Sequence, residues 1–324
     1  MSKTKVLVTG AGGFIGHHLV TFLKNKGYWV RGADLKYPEY SKVDADEFEL
    51  LDLRRWDNCL QATRGIDDVY GLAADMGGMG FISSHHSEIL HNNSLINTHT
   101  LEAARINGVK RYFYTSSACI YPEYKQTDAN VTPLKEEDAY PAQPQDAYGW
   151  EKLVMERLCN HYRQDYGLET RIVRFHNMFG VEGTWDGGRE KAPAALSRKV
   201  AVAKLTGNHE IEMWGDGEQT RSFCYIDDCI EGIYRLMRSD YHFPLNLGQD
   251  RLVTINELAY MIAKIAGIEI SIKHIAGPQG VRGRNSDNSK LREVLKWEPQ
   301  ISLEDGLKRT YTWIEQQVSK KLGL

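Results

Sequence analysis

A doubly wound, parallel α/β sheet with a smaller, irregular α/β substrate-binding domain is the fold that this 324-residue sequence predicts. Three observations predict it. Strand-like hydrophobic runs alternate with amphipathic helical ones through the first half, glycines crowd the first strand–helix turn, and a carboxylate ends the second strand. In order, KVLVTG (5–10) reads as a strand and FIGHHLVTFLKNKG as a helix stopped by Gly27. Strands follow at YWVRGADL (28–35), FELLDL (48–53), DDVYGLAA (67–74), KRYFYTSS (110–117) and TRIVRFHN (170–177). Amphipathic stretches such as SLINTHTLEAARINGV separate them. Beyond these the rhythm loosens into turn-rich GTWDGGREK and GPQGVRGRNSDN, around helices in INELAYMIAKIAG and LEDGLKRTYTWIEQQV. The expected division is a nucleotide-binding domain over 1–178 with a returning segment near 221–250. Residues 179–220 and 251–324 form the substrate domain.

Composition narrows the partners. A formal charge of −3 with scattered basic residues points away from nucleic acid and anionic membranes, so any anion site must be local. MSKTKVLVTG enters a strand without an apolar leader, and no apolar run approaches membrane-spanning length, so a soluble, cytoplasmic protein is expected. Five cysteines (59, 119, 159, 224, 229) form no CxxC and suit a reducing compartment. The pairs His17-His18 and His85-His86 lack ligand spacing, and no metal is expected.

The first strand runs into Gly10-Ala11-Gly12-Gly13-Phe14-Ile15-Gly16. Glycines there permit a tight turn, close approach of a pyrophosphate, and close packing of helix on strand, as in a Rossmann dinucleotide site. The phosphates would rest on free amides at the helix start. Asp34 ends the second strand, where a carboxylate accepts from a ribose 2′-OH and repels a 2′-phosphate, which favours NAD over NADP; Lys36 nearby weighs mildly against it. Asp52, closing FELLDL, is a second nucleotide candidate toward the adenine.

Farther along, Tyr148-Gly-Trp-Glu-Lys152 opens a helix, and positions i and i+4 share a face. Lys152 is expected to lower the phenol pKa of Tyr148, which then exchanges a proton with a sugar hydroxyl as hydride leaves carbon. Trp150 faces away from both and is given no chemical role. The motif gains weight from its place about thirty residues after a strand ending in Ser117. GAGGFIG, TSSACIYP, YGWEK and FCYIDDCIEG together resemble the extended short-chain dehydrogenase/reductases that act on nucleotide sugars. The resemblance implies oxidation of a hexose C4 hydroxyl by NAD with Ser117, Tyr148 and Lys152, followed by re-reduction.

A C4 ketone acidifies C3 and C5, and Cys119 stands two residues past Ser117. Dehydratases of this group carry an Asp-Glu pair at positions 118 and 119, where this chain has Ala and Cys. A thiol with cations nearby is a usable base at neutral pH, although a buried cysteine is also a common packing residue. Inversion needs a proton removed from one face and another delivered to the opposite face. Lys191, in the glycine-flanked loop GGREKAP, is the candidate acid.

AADMGGMGF, PQDAYGWEK, RFHNMFG, GTWDGGREKAPAA, MWGDGEQTRSF and GVRGRNSDN extend the resemblance over nearly the whole chain, to the family of GDP-mannose 3,5-epimerases. That family converts GDP-D-mannose to GDP-L-galactose, with GDP-L-gulose as the single-inversion product, and in plants feeds ascorbate synthesis. The resemblance implies an acid–base pair at Cys119 and Lys191. It implies substrate contacts at Gly77, Ser117, Asn177, Glu190, Lys191, Ala192, Lys199, Gln219, Arg221 and Arg284. Arg221 and Arg284 suit a pyrophosphate, since guanidinium binds phosphate oxygens bidentately. Contacts made by the C-terminal tail of the plant members are expected to be missing. Homodimer pairing is also implied, through helices near 94–107 and 148–165. Two rivals remain: a C4 epimerase or decarboxylase of nucleotide sugars, which would leave Cys119 and Lys191 idle, and a non-catalytic NAD-sensing protein of the same fold.

Overall fold

A computed structural model describes residues 3–324. Six strands form the body of the main sheet: β1 (Lys5–Thr9), β2 (Trp29–Asp34), β3 (Glu47–Leu50), β4 (Asp68–Gly71), β5 (Arg111–Ser117) and β6 (Glu169–Phe175). A seventh, Pro244–Leu247, joins late in the chain and lies at one edge. From that edge inward come β6, β5, β4, β1, β2 and β3, every pair parallel. Such a sheet is covered on both faces, and its strands must be apolar throughout rather than alternating. Val6, Leu7 and Val8 in β1, and Tyr112, Phe113 and Tyr114 in β5, are accordingly buried in succession.

The described residues form ten helices: α1 (Phe14–Asn25), α2 (Trp56–Thr63), α3 (Met79–Ile82), α4 (His86–Ile106), α5 (Ala147–Tyr166), α6 (Ala192–Thr206), α7 (Ile226–Arg238), α8 (Ile255–Ala266), α9 (Ser289–Leu295) and α10 (Leu303–Leu322). Local signals set several ends. The Asp146 carboxylate accepts from the Gly149 amide at 2.8 Å to start α5, and Gly167, at φ +70°, stops it. α8 begins with a capping box between Thr254 and Glu257.

Strand order reverses beside β1, which lies between β2 and β4, so the crevice at the carboxyl ends of β1 and β4 is where a doubly wound sheet binds ligands. β4 stops at Gly71 rather than running on through DDVYGLAA. The Thr9 hydroxyl accepts from both the Leu72 and Ala73 amides, at 3.0 and 3.1 Å, and so replaces the strand ladder. After β6 the chain leaves the sheet, builds α6, and returns through α7 and Pro244–Leu247. Outside the main sheet, α6 packs on α8 and α10, and Glu210–Trp214 pairs in parallel with Ser271–Ile275. Thr220–Arg221 lies between Val253–Thr254 and Gly283–Arg284. Among the described residues no helix is long and apolar enough to cross a membrane.

Candidate active site

The glycine turn sits at the reversal point. Gly10 holds φ +69°, and α1 starts at Gly13 with no side chain capping its first amides. A Cβ on Gly16 would fall 2.0 Å from the Gly10 carbonyl oxygen, so only glycine lets helix and turn meet. A Cβ on Gly13 would touch only that oxygen, at 3.2 Å, and would otherwise project into the open cradle. Uncapped amides at a helix start, in a cradle that a side chain would fill, fit a pyrophosphate. Asp34 is half-buried beside it, its carboxylate accepting from the Gly12 amide at 2.9 Å and the Lys36 amide at 3.3 Å. These two bonds let it shape the turn.

Both carboxylate oxygens of Asp52 accept from the Arg54 side chain, at 2.8–3.2 Å, and this bond above all holds its pKa down. His17 ties the cradle to the loop after β6: its Nδ1 lies 2.8 Å from the Gly13 carbonyl oxygen and its Nε2 2.9 Å from the Glu182 carboxylate. His18 joins them, the three side chains lying within 4.8 Å of one another. Sequence spacing did not show this, because Glu182 is remote in the chain.

Ser117 ends β5 at the carboxyl edge, and Tyr148 opens α5 above it. Gly149 brings them together, for a Cβ there would lie 2.2 Å from the Cys119 carbonyl oxygen. Tyr148 is 6 % exposed, and burial raises its pKa well above the ordinary phenol value. The neighbouring Cys119 adds to that rise, and hydrogen bonding with Ser117 opposes it. Lys152 Nζ stands 5.5 Å from the Tyr148 ring centre. The net direction is thus upward, set by burial, where the motif alone leads one to expect a lowering by Lys152. The lysine is itself buried, and burial lowers its own pKa.

Cys119 lies in the short turn Ala118–Ile120 that caps β5, its amide donating to Ser117 Oγ at 3.1 Å. Arg284 reaches it from the far end of the chain, with Nη1 3.2 Å from Sγ and Nε donating to Gln126 at 2.6 Å. Arg221 is in register with Arg284 on the neighbouring strand and donates to the carbonyls of Thr220 and Val281. Burial, and next the charge of Arg284, lower its pKa to about 9. Neither guanidinium meets a carboxylate among the described residues, an arrangement that favours an incoming anion.

Lys191 caps the start of α6 and is open to solvent. Protein nevertheless surrounds its ammonium closely enough for desolvation to lower the pKa, with Cys119 the foremost charge opposing that shift. Open side-chain surface limits how far the shift goes; its direction is downward. Arg189, which no sequence pattern singles out, latches this loop. Its guanidinium stacks 3.8 Å over Phe81 and pairs with Asp75 at 3.3 Å, while its carbonyl accepts from the Gly78 amide at 3.0 Å. Gly77 stands in this same segment.

The remaining candidates divide. Gln219 is 8 % exposed and its side-chain oxygen lacks a partner among the described residues, so it is free to accept from a ligand. Asn177, just past β6, takes the left-handed φ of +39° and donates to the Ser222 carbonyl at 3.0 Å. Ala192 is the first residue of α6, next to Lys191. Glu190 is engaged inside its loop, with the Gly188 amide at 2.7 Å and Arg198 at 2.8 Å. Lys199 donates to the Glu212 carbonyl on Glu210–Trp214.

This fold and this site define an enzyme of the NAD-using class that oxidises and re-reduces sugar nucleotides or eliminates from them. The chain belongs to the NAD dependent epimerase/dehydratase family, whose model matches residues 6–248. It is 55 % identical to GDP-mannose 3,5-epimerase 1 of Oryza sativa subsp. japonica over 98 % of this chain and 84 % of that one. With GDP-mannose 3,5-epimerase of Arabidopsis thaliana it shares 54 % identity over the same fractions. Among solved structures it superposes on UDP-glucuronic acid 4-epimerase from Bacillus cereus, in complex with UDP-glucuronic acid and NAD. There the TM-score is 0.81 and identity 27 %, over 97 % of this chain and all of the other.

Proposed function

We propose that this chain converts GDP-D-mannose to GDP-L-galactose, releasing GDP-L-gulose when only one carbon inverts. One observation carries the reading: Cys119 stands close enough to act electrostatically on Lys191, Tyr148 and Lys152 alike, and the Arg284 guanidinium lies 3.2 Å from its sulfur. A C4 epimerase needs only the serine, tyrosine and lysine.

The residues divide the work. Gly10, Gly13, Phe14, Ile15 and Gly16 hold the cofactor phosphates, and Asp34 accepts from its ribose. NAD bound there would supply reversible hydride acceptance from the sugar C4, which keeps the reaction redox-neutral. Ser117 and Tyr148 Oη hold the C4 hydroxyl, and the tyrosine moves its proton. Cys119 and Lys191 serve as base and acid on opposite faces at C5 and C3. Arg221 and Arg284 clamp the pyrophosphate, and a phosphate oxygen arriving at Arg284 competes with the thiol for the same N–H group. Gln219, Asn177, Glu190, Ala192, Lys199 and Gly77 complete the sugar and nucleotide contacts.

Incubation with GDP-mannose in D2O tests the reading. Deuterium is expected at C3 and C5 of the products, while the C4 hydrogen stays protium. Unlabelled C3 and C5 would replace the proposal with a C4 reaction.

Two broader statements accompany it. All five cysteines are free, which supports a reducing, cytoplasmic setting. Trp150 and Val154, 44 % and 61 % exposed, share one face of α5, and Leu90 and Ile106 are exposed on the adjacent α4. This apolar surface supports homodimer formation through α4 and α5. Sedimentation should give about twice the chain mass of 36.9 kDa, and a single-chain mass at micromolar concentration would refute the pairing.

A further inference from the structure

Glu151 is a carboxylate buried to 2 % exposure in the middle of the reacting motif, where an ordinary helix would carry an apolar residue. Its Oε1 accepts from Asn97 Nδ2 of α4 at 2.6 Å. Its Oε2 has no hydrogen-bond partner among the described residues and lies 3.9 Å from Lys152 Nζ. Burying a carboxylate with one oxygen unsatisfied is costly, and such a group persists where it serves something else. Lys152 has the complementary problem: the residue is 1 % exposed, and the near neighbours of its ammonium include the faces of Tyr114 and Tyr148, at 5.0 and 5.5 Å. Desolvation drives such an amine toward neutrality, and Glu151 is the foremost charge that opposes it.

The separation matters. At 3.9 Å the carboxylate acts on Lys152 through its field without binding the N–H donors, which remain free to turn toward Tyr148 and a ligand. Asn97 pins the other oxygen and so fixes where the negative charge sits. We propose that Glu151, held by Asn97, is a positioning residue that keeps Lys152 cationic in its buried site and thereby supports proton exchange at Tyr148. The proposal rests on the epimerase reading only for its assay.

Glu151→Gln tests it, because the amide keeps the shape and an oxygen for Asn97 but removes the charge. The wild-type carboxylate raises the Lys152 pKa; its loss lowers that pKa, so the ammonium is lost at lower pH. The alkaline limb of the turnover profile should therefore move downward by a unit or more, with turnover at neutral pH reduced about 10-fold or more. Glu151→Asp should leave that limb near its wild-type position. Should the glutamine variant fail to fold, the paired Asn97→Leu/Glu151→Met variant removes both hydrogen-bonding partners together, which is often close to neutral for stability. It should show the same displaced limb. An unmoved limb in a folded charge-removing variant, or a pH-independent loss that tracks a fall in melting temperature, would make Glu151 merely structural. Wild-type protein inert toward GDP-mannose would instead defeat the epimerase reading. In that case the Lys152 pKa, followed by NMR of lysine-labelled protein, should still fall in Glu151→Gln, and an unchanged value would overturn the proposal.

Discussion

Cys119→Ala and Lys191→Ala should each abolish net inversion while leaving C4 chemistry intact. Neither substitution touches Ser117, Tyr148 or Lys152, and the guanidiniums of Arg221 and Arg284 remain to hold the pyrophosphate. GDP-mannose should therefore still bind, and a borodeuteride quench should still trap 4-keto sugar. Formation of GDP-L-galactose should fall by about 10²–10⁴-fold, the range in which a positioned acid or base contributes. Deuterium entry at C3 and C5 should fall with it. Because one proton leaves and another arrives across a single ring, the two residues act as a unit, and the double variant should be scarcely worse than either single one. Arg284 complicates the cysteine variant in a readable way. It loses its sulfur partner but keeps Gln126, at 2.6 Å, so substrate affinity should hold or improve slightly. A cysteine variant that inverts at the wild-type rate would reduce Cys119 to a packing residue.

What the sequence disclosed was mainly local. The turn Gly10–Gly16, Asp34 at the end of its strand, and the i, i+4 pair Tyr148 and Lys152 stand where their spacing implied, since each depends on one strand or helix and its cap. Cys119 beside Ser117 is equally local. Contacts between distant segments were not legible. Arg284 meets Cys119 across 165 positions, Arg189 latches onto Phe81 and Asp75, and Asn97 on α4 finds Glu151 on α5. Each is set by how elements pack, which no periodicity encodes. Burial is non-local in the same sense, and it sets the direction at Tyr148: Phe81, Ile82 and Ile89 exclude water around a phenol that the motif alone would leave easier to ionise. The bond from Arg54 to Asp52, two residues apart, is local as well, though no pattern in the sequence marks it.

Tyr148→Phe should show the complementary defect to the cysteine and lysine variants. Phenylalanine keeps the ring that packs with Phe81, Ile82 and Ile89, so the fold should survive with little change in melting temperature. The hydroxyl alone is lost, and with it the group that exchanges the C4 proton in hydrogen-bond reach of Ser117. Turnover should drop by at least about 10²-fold. No 4-keto sugar should be trapped, and deuterium should enter neither C3 nor C5, because those hydrogens become acidic only beside a ketone. Cys119→Ala and Tyr148→Phe thus separate the two halves of the reaction: ketone without inversion in one, no ketone at all in the other. Ser117→Ala should impair ketone formation as well, since Ser117 is in hydrogen-bond reach of the phenol. Near-normal turnover in Tyr148→Phe would mean that another group organises the oxidation, and Lys152 would then have no phenol to serve.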